Sequence, residues 1–488
     1  MTEPPVARTA LGALTGLWGD GVALFRGVPY ALPPVGAWRF APAQPVPAWS
    51  GIRDATRHGP IAPQLPARLV ASMGNYSRAQ GEDCLTLTIA TPTPDAGRRA
   101  VMVWLHGGAF TTGAGSLDWY DGANLAREGD MVVVGVNYRI GALGFLCRDG
   151  VADGNLGIGD QAAALRWVRD HIAAFGGDPE RVTLVGQSAG GGAIAALLLD
   201  REARDLFHRA VLQSPMLPQP PITYAEAAER GGRFLEILGM DPRKASVAQL
   251  LEAQGKFGRV WAGEGATWPP FAPNVPDAMT AAAFTDAIAD AVAGKEILMG
   301  WTCQEFGAFF GADAAMMTLD ADSAAARAKT TCGDAQAVAP YRRADKRPID
   351  WLADFLCDNI FALPSQRFAA AVANRGGKVW SYRFDWSPVG SPFQACHCLD
   401  IPFIFGNWHR AWRDAPMLAG GNATEMTNLS RAMQRSWIEF VRSGDPGHDE
   451  LPHWPPRDVA EDIYLRFDRA ITTATRRIAP GTPIYNIV

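Results

Sequence analysis

The feature that most constrains this chain is a change of pattern within residues 181–194. Val182-Thr183-Leu184-Val185 is a short β-branched run, Gly186-Gln187-Ser188-Ala189-Gly190 is a serine flanked by glycines, and an Ala/Leu-rich stretch follows. The order reads as strand, tight turn, helix. In such a turn the serine backbone is strained, and only flanking residues without bulk let the strand and the departing helix pass closely. The hydroxyl is then presented at a helix N-terminus, where unpaired N–H groups face any developing negative charge. With 51 glycines among 488 residues the five-residue pattern alone arises easily by chance, so its weight comes from the strand before it and the helix after it.

Apolar residues make up 48% of the chain and charged residues 19%, enough for a large core, and no run approaches the roughly 18 apolar residues of a membrane span. A net charge of −5 argues against nucleic acid or an anionic membrane surface as a partner. Met1-Thr2-Glu3-Pro4-Pro5-Val6 has no basic segment leading into an apolar one, so no secretory signal is expected. Seven cysteines without regular spacing read as reduced thiols, which fits a cytoplasmic protein. Cys396-His397-Cys398 looks metal-like, but no second ligand pair lies at zinc-site spacing, so no metal is expected.

Leu11 to Gly16 and Val22 to Phe25, with Gly19-Asp20-Gly21 between, suggest a β-hairpin in a small leading sheet. Residues 27–64 read as an extended loop pinned by Trp38, Phe40 and Trp49. Near-continuous apolar runs at residues 85–89, 101–105 and 131–136 are those of central parallel strands buried on both faces. Leu165, Val168, Ile172 and Phe175 follow a helical period, with Asp160 placed to cap the start and Gly176 to end it. Further strands are expected at 210–213, 297–300 and 379–384, separated by helical segments such as that from Ala225 to Leu238. The expected architecture is α/β, with a mostly parallel, doubly wound central sheet, a small N-terminal β-sheet and helical insertions. No linker or repeat divides residues 1–488, so a single domain is expected, with a substrate-pocket insertion at about 215–295.

A functional Ser188 requires a His to take its proton and a carboxylate to orient that His, in the chain order Ser, acid, His. Downstream histidines are His208, His397, His409, His448 and His453; His208 precedes any plausible acid and reads as structural, whereas His397 follows the strand ending at Phe384. Asp286, Asp290, Asp313 and Glu305 are the acids available by position, with Glu305 following a predicted strand directly.

The whole set resembles the type B carboxylesterases, the carboxylesterase and cholinesterase branch of the α/β-hydrolase fold, over most of the chain. Phe25-Arg26-Gly27-Val28-Pro29-Tyr30-Ala31, Glu82-Asp83-Cys84-Leu85, Asn137-Tyr138-Arg139-Ile140-Gly141-Ala142-Leu143-Gly144-Phe145 and Gly154-Asn155-Leu156-Gly157 with Asp160-Gln161 occur in that family's order. The resemblance implies an α/β-hydrolase fold and a serine carboxylesterase working without a cofactor, with Ser188 as nucleophile, Glu305 as acid and His397 as base. It also implies oxyanion-hole N–H donors at Gly108 and Ala109, in His106-Gly107-Gly108-Ala109-Phe110, and at Ala189, with Ser214 as a supporting hydrogen-bonding residue. The partner expected is a small ester, and the chain a monomer or homodimer.

Three departures matter. Gly59-Pro60-Ile61-Ala62-Pro63-Gln64 lacks the cysteine that in the family often pairs with the counterpart of Cys84, which supports a reducing compartment. Gln187 replaces a frequent Glu and removes a carboxylate from the site, so an uncharged or anionic ester is expected rather than a cationic one. The loop before Glu82 carries Met73 and Tyr76 but no Trp, which disfavours a choline ester. A non-catalytic, neuroligin-like binding role is the rival class; such proteins typically lack triad members, and all three positions are filled here. Phe257, Trp261, Trp268, Phe271, Phe306, Phe309 and Phe310 are the aromatics from which an apolar pocket for aryl or alkyl esters would be drawn.

Overall fold

The computed structural model describes residues 3–218, 221–264, 266, 268–458 and 462–475. Its main sheet has eleven strands: β1 (Leu17–Gly19), β2 (Val22–Pro29), β3 (Thr86–Thr91), β4 (Arg99–Leu105), β5 (Val132–Val136), β6 (Gly177–Gln187), β7 (Arg209–Gln213), β8 (Glu296–Thr302), β9 (Lys378–Phe384), β10 (Ile463–Phe467) and β11 (Thr472–Thr475). Their spatial order is β1-β2-β3-β5-β4-β6-β7-β8-β9-β10-β11. From β5 to β10 the strands run parallel. The flanking β1, β2, β3 and β11 are antiparallel to their neighbours.

Both faces of the sheet are buried. On β4, Val101, Val103 and Leu105 enter one core cluster and Ala100, Met102 and Trp104 the other, as the two-residue period of a strand requires. Helices α1 (Leu156–His171), α2 (Ala189–Leu199) and α3 (Leu363–Asn374) cover the first face; α4 (Ala423–Ser443) and the helix Ala123–Gly129 cover the second. This two-sided burial is why the central strands read as unbroken apolar runs.

Several sequence expectations change. β3 is antiparallel to β5, because an apolar run encodes burial on both faces and says nothing of direction. The hairpin joins β1 to β2 through Asp20 and Gly21, both at positive φ, the geometry of a tight two-residue turn. Residues ahead of it form the small sheet instead, where Ala13–Thr15 lies between Val6–Arg8 and Ile52–Asp54. In the loop that follows, Phe40 is buried and Trp49 bonds the Ala13 carbonyl, while Trp38 is exposed. β10 and β11, beyond a Pro-containing loop, were not anticipated.

Asp160 does not cap α1. It lies inside the helix, fully buried, and forms a two-pronged ion pair with Arg139 at 2.6 and 2.8 Å. Arg139 also donates to the Ala41 carbonyl at 2.8 Å, and its own backbone N–H reaches Asp160. The pair fixes the chain after β5, where the Tyr138 hydroxyl donates to the His106 carbonyl at 2.7 Å and so braces the loop after β4. Removing one partner of a buried pair strands the other's charge. Asp160→Asn is therefore expected to lower unfolding free energy by about 3–5 kcal/mol, read from urea denaturation.

Candidate active site

Ser188 sits between β6 and α2 with φ 57° and ψ −119°, a conformation that L-residues rarely hold. A Cβ on Gly186 would lie 2.5 Å from the Gly190 backbone, and one on Gly190 would lie 2.1 Å from the Leu105 carbonyl oxygen. The strand–helix crossing thus leaves no room for a side chain at either position. Ser188 N–H donates to the Gln213 carbonyl at 2.8 Å, and its own carbonyl accepts from Gly192 at 2.9 Å and Met216 at 3.1 Å, which fixes the strained residue from both sides.

Glu305 and His397 come together through paired backbone. Beyond the ends of β8 and β9, Cys303 N–H reaches the Phe384 carbonyl at 2.8 Å, Gln304 N–H the Ala395 carbonyl at 2.9 Å, and His397 N–H the Glu305 carbonyl at 3.1 Å. The fully buried Glu305 carboxylate accepts Thr302 N–H at 2.8 Å on Oε1 and His397 Nδ1–H at 2.5 Å on Oε2. Burial opposes the imidazolium, but the neighbouring Cys398 sulfur and the Glu305 carboxylate more than reverse this and hold the His397 pKa well above the ordinary imidazole value. The rival acids are elsewhere: Asp286 and Asp290 pair with Arg375, and Asp313 caps Ala314–Met317. None of His208, His409, His448 and His453 lines the cavity that holds Ser188 and His397.

That cavity has a volume of about 460 Å³. Ser188 makes no hydrogen bond to His397; instead the Gln187 side-chain amide stands 3.2 Å from His397 Nε2. Gly107, Gly108 and Ala109 line the cavity beside Ser188. Gly108 and Ala109 have φ of 114° and 53°, and their N–H groups, like that of Ala189 at the start of α2, donate to no described acceptor. A Cβ on Gly108 would lie 2.1 Å from the Thr112 carbonyl oxygen. The bond expected from Ser214 is not made: its hydroxyl is buried and has no hydrogen-bond partner among the described residues.

Of the anticipated aromatics, Trp268, Phe306, Phe309 and Phe310 line the cavity. Phe257 and Phe271 pack with Phe234 in the core, and Trp261 bonds the Trp268 carbonyl at 2.8 Å. The excursion between β7 and β8 was expected to build the pocket, yet much of its wall comes from residues 306–361. There a single π-helical turn, Asp358–Ala362, brings Phe361 to 5.0 Å from the His397 ring, between centroids. Trp119 and Tyr120 also line the cavity, next to Tyr76 and Met73. Phe361, Trp119, Arg68 and Arg327 were not singled out from sequence, where nothing in their spacing distinguishes them from core or surface residues. Asp400 could have been found, since it lies in the quoted His397-Cys398-Leu399-Asp400 run. It is buried below the His and accepts from Tyr382 at 3.0 Å and Gln213 at 3.3 Å. Among the described residues no cluster of three or more His, Cys, Asp or Glu is arranged to hold a metal ion.

The profile of the carboxylesterase family matches residues 3–480. A para-nitrobenzyl esterase of Bacillus subtilis is 37% identical, with 96% of this chain and 95% of that protein covered. A protein of Rhodococcus erythropolis named as a probable N-octanoylanthranilate hydrolase is 40% identical, with 94% and 98% covered. A solved structure of a PNB esterase superposes with a TM-score of 0.83 at 34% identity, with 97% and 98% of the two chains covered. An α/β-hydrolase sheet, a match over nearly the whole length and esterases among the relatives lead to one conclusion: the chain belongs to the carboxylesterase family and is a carboxylic-ester hydrolase.

Proposed function

We propose that the protein hydrolyses apolar aryl or alkyl esters through an acyl-enzyme, with Ser188 as nucleophile, His397 as general base and acid, and Glu305 as the carboxylate that orients the imidazole. The observation that carries this reading is the 2.5 Å bond from His397 Nδ1–H to the buried Glu305, in a cavity shared with the strained Ser188. His397 Nε2 exchanges its contact with Gln187 for the Ser188 hydroxyl and takes its proton as Oγ attacks the ester carbonyl. The oxyanion is met by the N–H groups of Gly108, Ala109 and Ala189, each such donor being worth roughly 10²- to 10³-fold in rate. The imidazolium then protonates the departing alcohol, and water repeats the sequence to release the acid. The apolar lining supplied by Phe306, Phe309, Phe310 and Phe361 supports an apolar substrate, and seven free cysteines support a reducing compartment.

Ser188→Ala is expected to reduce kcat for a 4-nitrophenyl ester by roughly 10⁶-fold while leaving the thermal unfolding transition in place. A folded, active variant would remove the nucleophile assignment. Because the His397 pKa is raised, the neutral base forms only at higher pH, so kcat/KM is expected to rise with pH through a midpoint above the ordinary imidazole value of about 6.5. Glu305→Gln removes an anion that favours the imidazolium. It should move that midpoint down in pH and lower the plateau, both read from a pH–rate profile.

A second reading extends the scissile bond to an amide, favoured by the relative named for N-octanoylanthranilate. Release of anthranilate from that compound, followed by its fluorescence, is the expected result; its absence restricts the site to esters.

A further inference from the structure

Among the described residues that line the cavity are Arg68 and Arg327, and no Asp or Glu. Other arginines of this protein commonly meet carboxylates, as Arg139 does Asp160 and Arg375 does Asp286 and Asp290. Arg68 and Arg327 have no ion pair and no hydrogen bond among the described residues. Both residues are exposed to solvent as well as lining the cavity, Arg68 from the segment just before the turn Val70–Met73 and Arg327 from the helix Ala321–Cys332. Enough protein surrounds the Arg68 guanidinium that burial draws its pKa down, with no carboxylate to offset this. Its Cζ stands 5.8 Å from the centroid of the Phe309 ring, and that centroid is 6.0 Å from the His397 ring. One aromatic ring therefore separates this cation from the base. An unpaired guanidinium fork facing a cavity is suited to a planar carboxylate, which can accept two parallel N–H bonds.

We propose that Arg68 and Arg327 select esters that bear a second, anionic group, a carboxylate on the arm that extends past Phe309 from the scissile bond. The inference rests on the reading of this cavity as the substrate site of an ester hydrolase. Gln187 acts in the same direction, since a glutamate there would place a negative charge beside the base. Charge-assisted hydrogen bonds of this kind convert to a preference of about 10- to 100-fold, expressed chiefly in KM because the contact is remote from the reacting atoms.

Two matched pairs test this and cover both arms of the ester: 4-acetoxybenzoate against 4-methylphenyl acetate, and mono-4-nitrophenyl terephthalate against 4-nitrophenyl 4-methylbenzoate. For each pair the ratio of kcat/KM, anionic over neutral, is measured in the wild type, in Arg68→Gln, in Arg327→Gln and in the double variant. The expected result is a ratio in at least one pair that falls 10-fold or more in the double variant and falls in the wild type as salt is raised. Turnover of the neutral member shows that each variant is folded, and the single variants serve if the double one is not. A ratio that the substitutions and salt leave unchanged in both pairs overturns the proposal. Failure of the wild type to hydrolyse any of the four esters would overturn the ester-hydrolase reading of the cavity itself, and this inference with it.

Discussion

The candidate active site depends on one close approach. β6 must end and α2 must begin against the end of β4 with no side chain between them, and Gly186 and Gly190 provide that absence. The unfavourable backbone at Ser188 persists because surrounding bonds over-determine it: its N–H is held by the strand on one side and its carbonyl by two N–H groups beyond the turn. The parallel sheet is thus both the core and the jig. β4 ends at the loop carrying Gly108, β6 at Ser188, β8 just before Glu305, and the segment after β9 delivers His397. All of these come from the same edge of the sheet, as expected where function sits at the carboxyl ends of parallel strands.

Beneath that edge lies a layer of buried polar groups. Asp400 and Glu305 are both sealed from water, and burial together with the Glu305 charge pushes the Asp400 pKa up to about 6. The Glu305 carboxylate meets the imidazole, while Asp400 lies beneath it among neutral donors. Tyr382 and Gln213 hold Asp400 in place, and Gln213 is in turn bonded by the Trp437 indole, which ties the layer to α4 on the far face.

Much of this was legible in the sequence, and what was not has a physical reason. Unbroken apolar runs marked the buried strands and the glycine-flanked serine marked the turn, because both signals are local. Strand direction was not legible at β3, since burial alone sets its composition. Asp160 looked like a cap because it precedes an apolar period; its partner Arg139 lies 21 positions away in sequence and only the fold unites them. The Ser, Glu and His of the proposed triad were nameable from motif and order, whereas the cavity wall was not. An aromatic such as Phe257 that fills the core and one such as Phe361 that lines the cavity have the same local pattern. Arg68 and Arg327 were silent for a related reason: a surface arginine becomes notable only when its surroundings are seen to hold no carboxylate.

The contact between Gln187 and His397 gives the resting enzyme a property that a glutamate there would not. A carboxylate can only accept from Nε2 and so sides permanently with the imidazolium. An amide presents a donor and an acceptor on one carbon, and a half-turn matches it to either protonation state of the ring. In the proposed mechanism the side chain beside Ser188 can therefore follow the proton, occupying Nε2 when no hydroxyl is there and yielding it without leaving a charge behind.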